Sequence, residues 1–206
     1  LDLRLFENRT FTLATISAML HNFVMSGSAI LIPTLVQTVY HSTATMAGLF
    51  MLIPSLVFAM VSPVAGKIYD KFGIRNLYIF SSIALFATHG SMVFATETTP
   101  VLLVMAIYAL RNAALAVLMM PVITWGMGAL PKEQYSQGTA VMNTFKNVAG
   151  AIGSAVVIGF MAMITQINAG NPHADMYGFN GAFAFTTVFT VFMIIIAFGF
   201  VKSGKK

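Results

Sequence analysis

Four ionisable side chains interrupt otherwise apolar stretches of this sequence: His21, His89, Arg111 and Lys146. A charge inside a hydrocarbon-length segment is costly, so such residues face a bundle interior or a wet cavity and mark ion or substrate paths. Other polar residues join them at helical spacing. Ser17, His21 and Ser28 share one face with Asn22 beside it, and Tyr108, Arg111 and Asn112 fall at i, i+3, i+4. Asn143, Lys146, Asn147 and Ser154 form a third stripe, and four polar positions on one face exceed what packing requires. That stripe reads as a cavity lining. The residues expected to line a cavity, touch substrate or serve coupling are therefore His21, Asn22, Arg111, Asn112, Asn143, Lys146 and Asn147. For His21 and His89 the simpler account is a neutral imidazole hydrogen-bonded between helices. The chemistry on offer is recognition by charge and hydrogen bond. Metal binding is not expected, since the chain has no cysteine and no carboxylate lies at ligand spacing. Catalysis is not expected either, because H-E-x-x-H, G-x-S-x-G and paired intramembrane carboxylates are missing from the sequence.

The elements that hold these residues follow from composition. Of 206 residues, 58% are hydrophobic and only 8% charged, against roughly a quarter charged in a soluble domain. So few charges cannot build a water-facing surface. The apolar residues come in six blocks, Thr10–Gln37, Thr45–Ala65, Asn76–Ala95, Val101–Gly128, Gln137–Thr165 and Phe179–Val201. Each is long enough to cross ~30 Å of hydrocarbon as a helix, and strand-type alternation is lacking. An all-α membrane protein, a six-helix bundle, is expected. Three connections, "YHSTA", "TETTP" and "INAGNPHADMYG", contain no Lys or Arg, whereas Arg4, Arg9, Lys67, Lys71, Arg75, Lys132, Lys202, Lys205 and Lys206 all fall on the other side. The positive-inside bias places that side, with both termini, in the cytoplasm. Residues 1–9 then read as a cytoplasmic linker, 10–201 as the transmembrane domain and 202–206 as a basic tail. The basic pI of about 9.6 is thus topological, and no nucleic-acid partner is expected.

Between the second and third blocks stands "GKIYDKFGIR", residues 66–75. Gly66, Asp70, Lys71, Gly73 and Arg75 match G-x-x-x-D-[RK]-x-G-x-R, which resembles the loop signature of the major facilitator superfamily. Physically, Gly66 suits close helix approach, Gly73 a tight turn, and Asp70 the free N–H groups of a helix start. Lys71 and Arg75 suit carboxylates or lipid phosphates. "LDLRLFENRTFTLA", "YALRNAALAVLMMPV" and "GTAVMNTFKNVAGAIGSA" are similar, in the expected order, to the EmrB/QacA-like branch of fourteen-helix drug:proton antiporters. Lys146 stands where that branch usually has arginine, and Asn112 and Ala114 replace glycines.

The resemblance implies the C-terminal half of a transporter. Its coupling acid, the basic residue of its fourth helix and its Gly-Pro antiporter motif belong to the first half and have no counterpart here. A missing N-terminal half, the lipid bilayer and a small amphipathic substrate are the implied partners. The implied activity is export of drugs or lipid-like compounds across the plasma (inner) membrane, driven by a proton gradient without a cofactor. A specific metabolite carrier of the same fold or a non-transporting membrane scaffold are the alternatives. The acids from Asp2 to Asp175 all fall at or beyond the membrane boundaries. For Arg111 and Lys146 the simpler account is that backbone carbonyls and the neighbouring Asn143 and Asn147 offset part of the cost; the sharper one is that a carboxylate of the absent half or an anionic substrate group completes the pairing.

Overall fold

A computed structural model describes residues 3–201, so the basic tail, with Lys202, Lys205 and Lys206, and Asp2 lie outside the described residues. Every regular element among the described residues is helical. A 3-10 turn, Leu3–Glu7, leads into α1 (Arg9–Ala29), α2 (Leu31–Thr38), α3 (Ala44–Val93) and α4 (Val101–Met127). A second 3-10 turn, Lys132–Gln134, precedes α5 (Tyr135–Ile167), and α6 (Ala174–Gly199) ends the bundle. Asn8 starts α1: its Oδ1 accepts from the backbone of Thr10 and Phe11 at 3.0 and 3.1 Å, satisfying donors no helical carbonyl can reach. Thr43 caps α3 in the same way through Met46 N.

The elements depart from the six expected blocks in three places. The first block is two helices, interrupted at Ile30. Pro33 lies three residues on; its ring crowds the carbonyl four residues earlier and it cannot donate to Ala29. The second and third blocks are one helical run of 50 residues, and only Gly73, at φ 73 and ψ 166, leaves helical geometry within it. The expected loop of ten residues is thus a one-residue elbow, with Gly66, Asp70 and Lys71 inside the incoming helix and Arg75 inside the outgoing one. The last block begins earlier, at Ala174 rather than Phe179. Asp175 in the first turn of α6 favours that start, since an acid there meets the positive end of the helix dipole.

Five helical stretches among the described residues are long and apolar enough to cross a membrane. The chain doubles back at the elbow of α3. Ala47, near its start, and Met92, near its end, belong to the same apolar cluster, although a straight helix would separate them by ~68 Å. The core has two such clusters. One gathers Phe11, Ala14, Ile74, Tyr78, Leu118, Leu130, Met193 and Val201 at the end that holds both chain ends and the elbow. The other gathers Leu31, Leu35, Ala47, Met92, Ala95, Val104, Met176 and Phe179 at the opposite end. Long-range bonds tie each end: Asn8 Nδ2 donates to Ala129 O at 2.7 Å, while Tyr40 Oη donates to Thr99 O at 2.9 Å and His173 Nδ1 meets Glu97 Oε1 at 2.8 Å. All Lys and Arg of the described connections lie at the first end.

Candidate functional site

Between the two apolar clusters, each long helix places polar residues at one level. They are His21 and Asn22 on α1, Thr88 and His89 on α3, Arg111 and Asn112 on α4, Lys146 and Asn147 on α5, and Thr186 and Thr190 on α6. Polar groups at the midlevel of a bundle that excludes lipid from its interior are what a solute or ion path requires.

Arg111 is buried, with 3% of its surface exposed. Nη2 donates to the Val24 and Met25 carbonyls at 3.1 and 3.3 Å and to Ser28 Oγ. Nη1 donates to Asn112 Oδ1 at 3.0 Å, and the guanidinium carbon stands 4.7 Å from the centre of the Tyr108 ring. Tyr108 in turn donates to Ser28 O at 3.2 Å. These bonds pin α4 against the last turns of α1, and the carbonyls there offset part of the cation's desolvation cost. The expected trio on α4 is therefore assembled, and Ser28 completes it from α1.

On the other side of α1 lies α5. Asn22 Nδ2 donates to Lys146 O at 2.8 Å. The approach is close because Gly27, Gly150 and Gly153 carry no side chain: a Cβ on Gly153 would stand 2.7 Å from Phe23 O, and one on Gly27 2.7 Å from Val157 Cγ2. Small residues are how membrane helices gain dispersion contact where lipid supplies no hydrophobic drive. Lys146 is half-buried, and no described residue pairs with its ammonium. Asn22, Asn112 and Asn143 are half-buried too, and Asn147 is exposed. His21 is buried, within electrostatic reach of both Arg111 and Lys146, and neither ring nitrogen has a protein partner. His89 Nδ1 lies 2.9 Å from Leu85 O and must be the protonated nitrogen there, since a carbonyl only accepts. That bond is within α3 rather than between helices.

Of the wall beside Arg111 the sequence reading singled out only Tyr108 and Asn112. Met25 and Ala29 of α1, Met51, Ser55 and Phe58 of α3, and Tyr108, Asn112 and Leu115 of α4 enclose with it a cleft of about 230 Å³. The signal was present as Met51, Ser55 and Phe58 at i, i+4, i+7. Among the described residues Glu7, Asp70, Glu97, Glu133 and Asp175 are all exposed, so no acid enters the polar layer.

The residues of the elbow serve a different place. Gly73 has the positive φ that favours glycine. Gly66 has nothing within 4 Å of a Cβ position, so close approach does not explain it. Asp70 is exposed and accepts no hydrogen bond from described residues, so the expected contact with the free N–H groups of a helix start is not made. Lys71 lies 5.3 Å from the centre of the Phe72 ring, and Arg75 is half-buried with an unpartnered Nε.

A bundle with a polar midlayer, a glycine elbow and basic residues gathered at one end agrees with the comparison to known families. The model of the Major Facilitator Superfamily matches residues 2–154. The chain belongs to this superfamily. Over 208 residues, all of the chain and 44% of the relative, it is 31% identical to an uncharacterized MFS-type transporter of Bacillus subtilis, YcnB. It is 31% identical over 217 residues to the lincomycin resistance protein LmrB of Bacillus subtilis, covering 45% of it. Against the multidrug export protein EmrB of Escherichia coli it is 27% identical over 191 residues, 84% of the chain and 36% of the relative. This Major Facilitator chain thus spans less than half the length of these relatives. Its apolar helices make it a multi-pass membrane protein.

Proposed function

We propose that the chain is the C-terminal half of a proton-coupled exporter of amphipathic drugs or lipid-like compounds, with its polar layer lining half of the transport path. The observation that carries this reading is the open side of that layer. Asn22, Asn112, Asn143 and Lys146 are half-buried and Asn147 is exposed, although each sits on a membrane-length helix. A scaffold would seal such groups between helices, whereas a carrier must leave them reachable.

The flanks of the open side support a partner half. Among the candidate spans the most apolar stretches of α3 and α5 are the least buried, at 11% and 22%. Six crossings follow if α3 counts as two: residues 44–72 and 74–93 span ~43 Å and ~30 Å, each enough for the hydrocarbon core. The basic end of the bundle then lies in the cytoplasm by the positive-inside bias, with the membrane being the plasma (inner) membrane. The kinship to LmrB and EmrB, named for lincomycin resistance and multidrug export, favours amphipathic drugs as cargo. A proton gradient is the energy source, and no cofactor is needed.

The test is efflux of a fluorescent amphipathic dye from everted vesicles that contain the complete transporter. Efflux that collapses on addition of a protonophore is the expected result. The 206-residue chain alone should insert but drive none. Undiminished efflux without a proton gradient, or gradient-driven efflux by the chain alone, overturns the reading.

A further inference from the structure

We infer that the polar layer recognises substrates by an anionic group, a carboxylate or phosphate carried on an apolar body. This rests on the transport reading above and names the class of substrate.

The charge inventory is the first reason. Arg111 reaches the Met25 carbonyl of α1 from α4, and one turn away Asn22 of α1 donates to the backbone of Lys146 on α5; Met25 and Ala29 line the cleft beside Arg111. No described acid stands in the layer. The two cations differ in what they still lack. The Arg111 guanidinium is largely satisfied by Val24, Met25, Ser28 and Asn112, with only Nε left over. Lys146 has three ammonium donors and no protein acceptor among the described residues. A compact cation on a flexible stem, partly desolvated and unpaired, is a strong attractor for an anionic oxygen.

The shape of the site is the second reason. The cleft of about 230 Å³ beside Arg111 is walled by Met25, Met51, Phe58 and Leu115, with Asn112 and Ser55 as its polar points. Methionine and phenylalanine adapt to varied apolar bodies. An anionic head on an apolar body satisfies the cations and the wall together. A carboxylate reaching in from a neighbouring helix satisfies only the charge. Organic cations meet two like charges here and should be excluded unless a counter-acid intervenes.

The experiment uses the complete transporter in nanodiscs of zwitterionic lipid immobilised on beads, with empty nanodiscs as the blank. Radiolabelled dodecanoate should bind saturably. Dodecyl phosphate should compete, while dodecanol and dodecyltrimethylammonium should not. Lys146→Met should weaken dodecanoate at least tenfold, about 1.4 kcal/mol, and Lys146→Arg should restore most of it. Lys146 is half-buried at the open edge, so its removal leaves the Arg111 pin intact; Asn112→Leu offers a second variant and should also weaken binding. Equal competition by dodecyltrimethylammonium overturns the proposal, as does unchanged dodecanoate affinity in both variants. Binding that emerges only when an acid of the neighbouring half is neutralised makes that acid the occupant, and also overturns it. Proton-driven dye efflux without anion selectivity refutes this inference alone. Saturable anion binding without proton-driven export refutes the exporter reading alone.

Discussion

Replacing Gly153 with alanine should push apart the two helices that hold Asn22 against Lys146. A Cβ on Gly153 stands 2.7 Å from the Phe23 carbonyl oxygen, 2.9 Å from Phe23 Cα and 3.1 Å from the Phe23 carbonyl carbon. All three are backbone atoms of α1, so no rotamer change relieves the overlap. Restoring a carbon–oxygen separation of about 3.3 Å moves α1 away by roughly 0.6 Å. The same seam holds Gly27, whose own Cβ position is 3.1 Å from Gly153 O, and Gly150, whose Cβ position is 2.8 Å from Ser26 Oγ. Overpacking of this kind costs about 1–3 kcal/mol. Alanine also favours the helix over glycine by about 0.8–1 kcal/mol, which masks part of the loss. Gly159→Ala isolates that gain, because Gly159 lies on the same helix with nothing within 4 Å. The difference between the two variants is therefore the quantity to read, about 1–3 kcal/mol. At about 2–4 °C per kcal/mol for a domain of this size, Gly153→Ala should melt several degrees below Gly159→Ala. Intrinsic fluorescence of Trp125, the single tryptophan, reports the transition in nanodiscs. Equal melting of the two variants would refute the backbone-contact argument.

Arg111→Met should lower stability by about 3 kcal/mol or more, since hydrogen bonds to charged groups contribute about 1.5–3 kcal/mol each, with Arg111→Lys recovering part; denaturant titration checks both, and an unchanged midpoint removes the pin. Gly73→Ala should cost about 1–3 kcal/mol, because positive φ with extended ψ is a region essentially reserved for glycine, whereas Gly66→Ala, helical and unobstructed, should gain up to about 1 kcal/mol; the opposite order in thermal melts would disprove the elbow. Asp70→Asn should leave the melting temperature of this chain unchanged, because the exposed carboxylate has no described partner. A fall in transport on that substitution would place its partner outside the chain. Cysteines replacing Ser42 and Asn171 should label from outside intact cells and one replacing Lys132 should not; reversed labelling overturns the orientation.

The charged and amide residues of the polar layer were legible in the sequence because hydrocarbon makes polarity conspicuous, whereas Thr88, Thr186 and Thr190 were not, since a threonine can bond its own helix backbone and blends into an apolar run. His21, Arg111 and Lys146 stand out against apolar neighbours, and helical spacing ordered them into faces. What periodicity could not supply was the cross-helix partner of each. Arg111 bonds backbone carbonyls of α1, and carbonyls carry no side-chain signature. The helix limits were missed for a related reason. Pro33 lies inside an apolar block read as one crossing, and whether it bends a helix or ends it depends on what the freed Ala29 carbonyl meets. Gly73 was visible as a turn, yet a single left-handed residue reverses the chain without a loop, so the helix runs on through "GKIYDKF" where charge density suggested an end. Asp175 misled in the same direction: an acid reads as loop, but at a first turn it is bound to the helix dipole.

The same logic explains why the glycines were half understood. Gly150 and Gly153 stand three apart beside the α5 stripe, a spacing that suits helix contact, but nothing in the sequence pairs them with Gly27 on α1, because a groove needs two sides and the sequence displays one at a time. Close contact there has a consequence for the layer. It brings the α5 backbone within hydrogen-bond reach of Asn22, one turn from the Met25 carbonyl that Arg111 holds from α4. The seam therefore sets Lys146 at the level of the polar layer, half-buried and with no ion-pair partner among the described residues. An ammonium at that level is costly to leave unpaired, and the open side of the bundle is where a counter-charge can reach it.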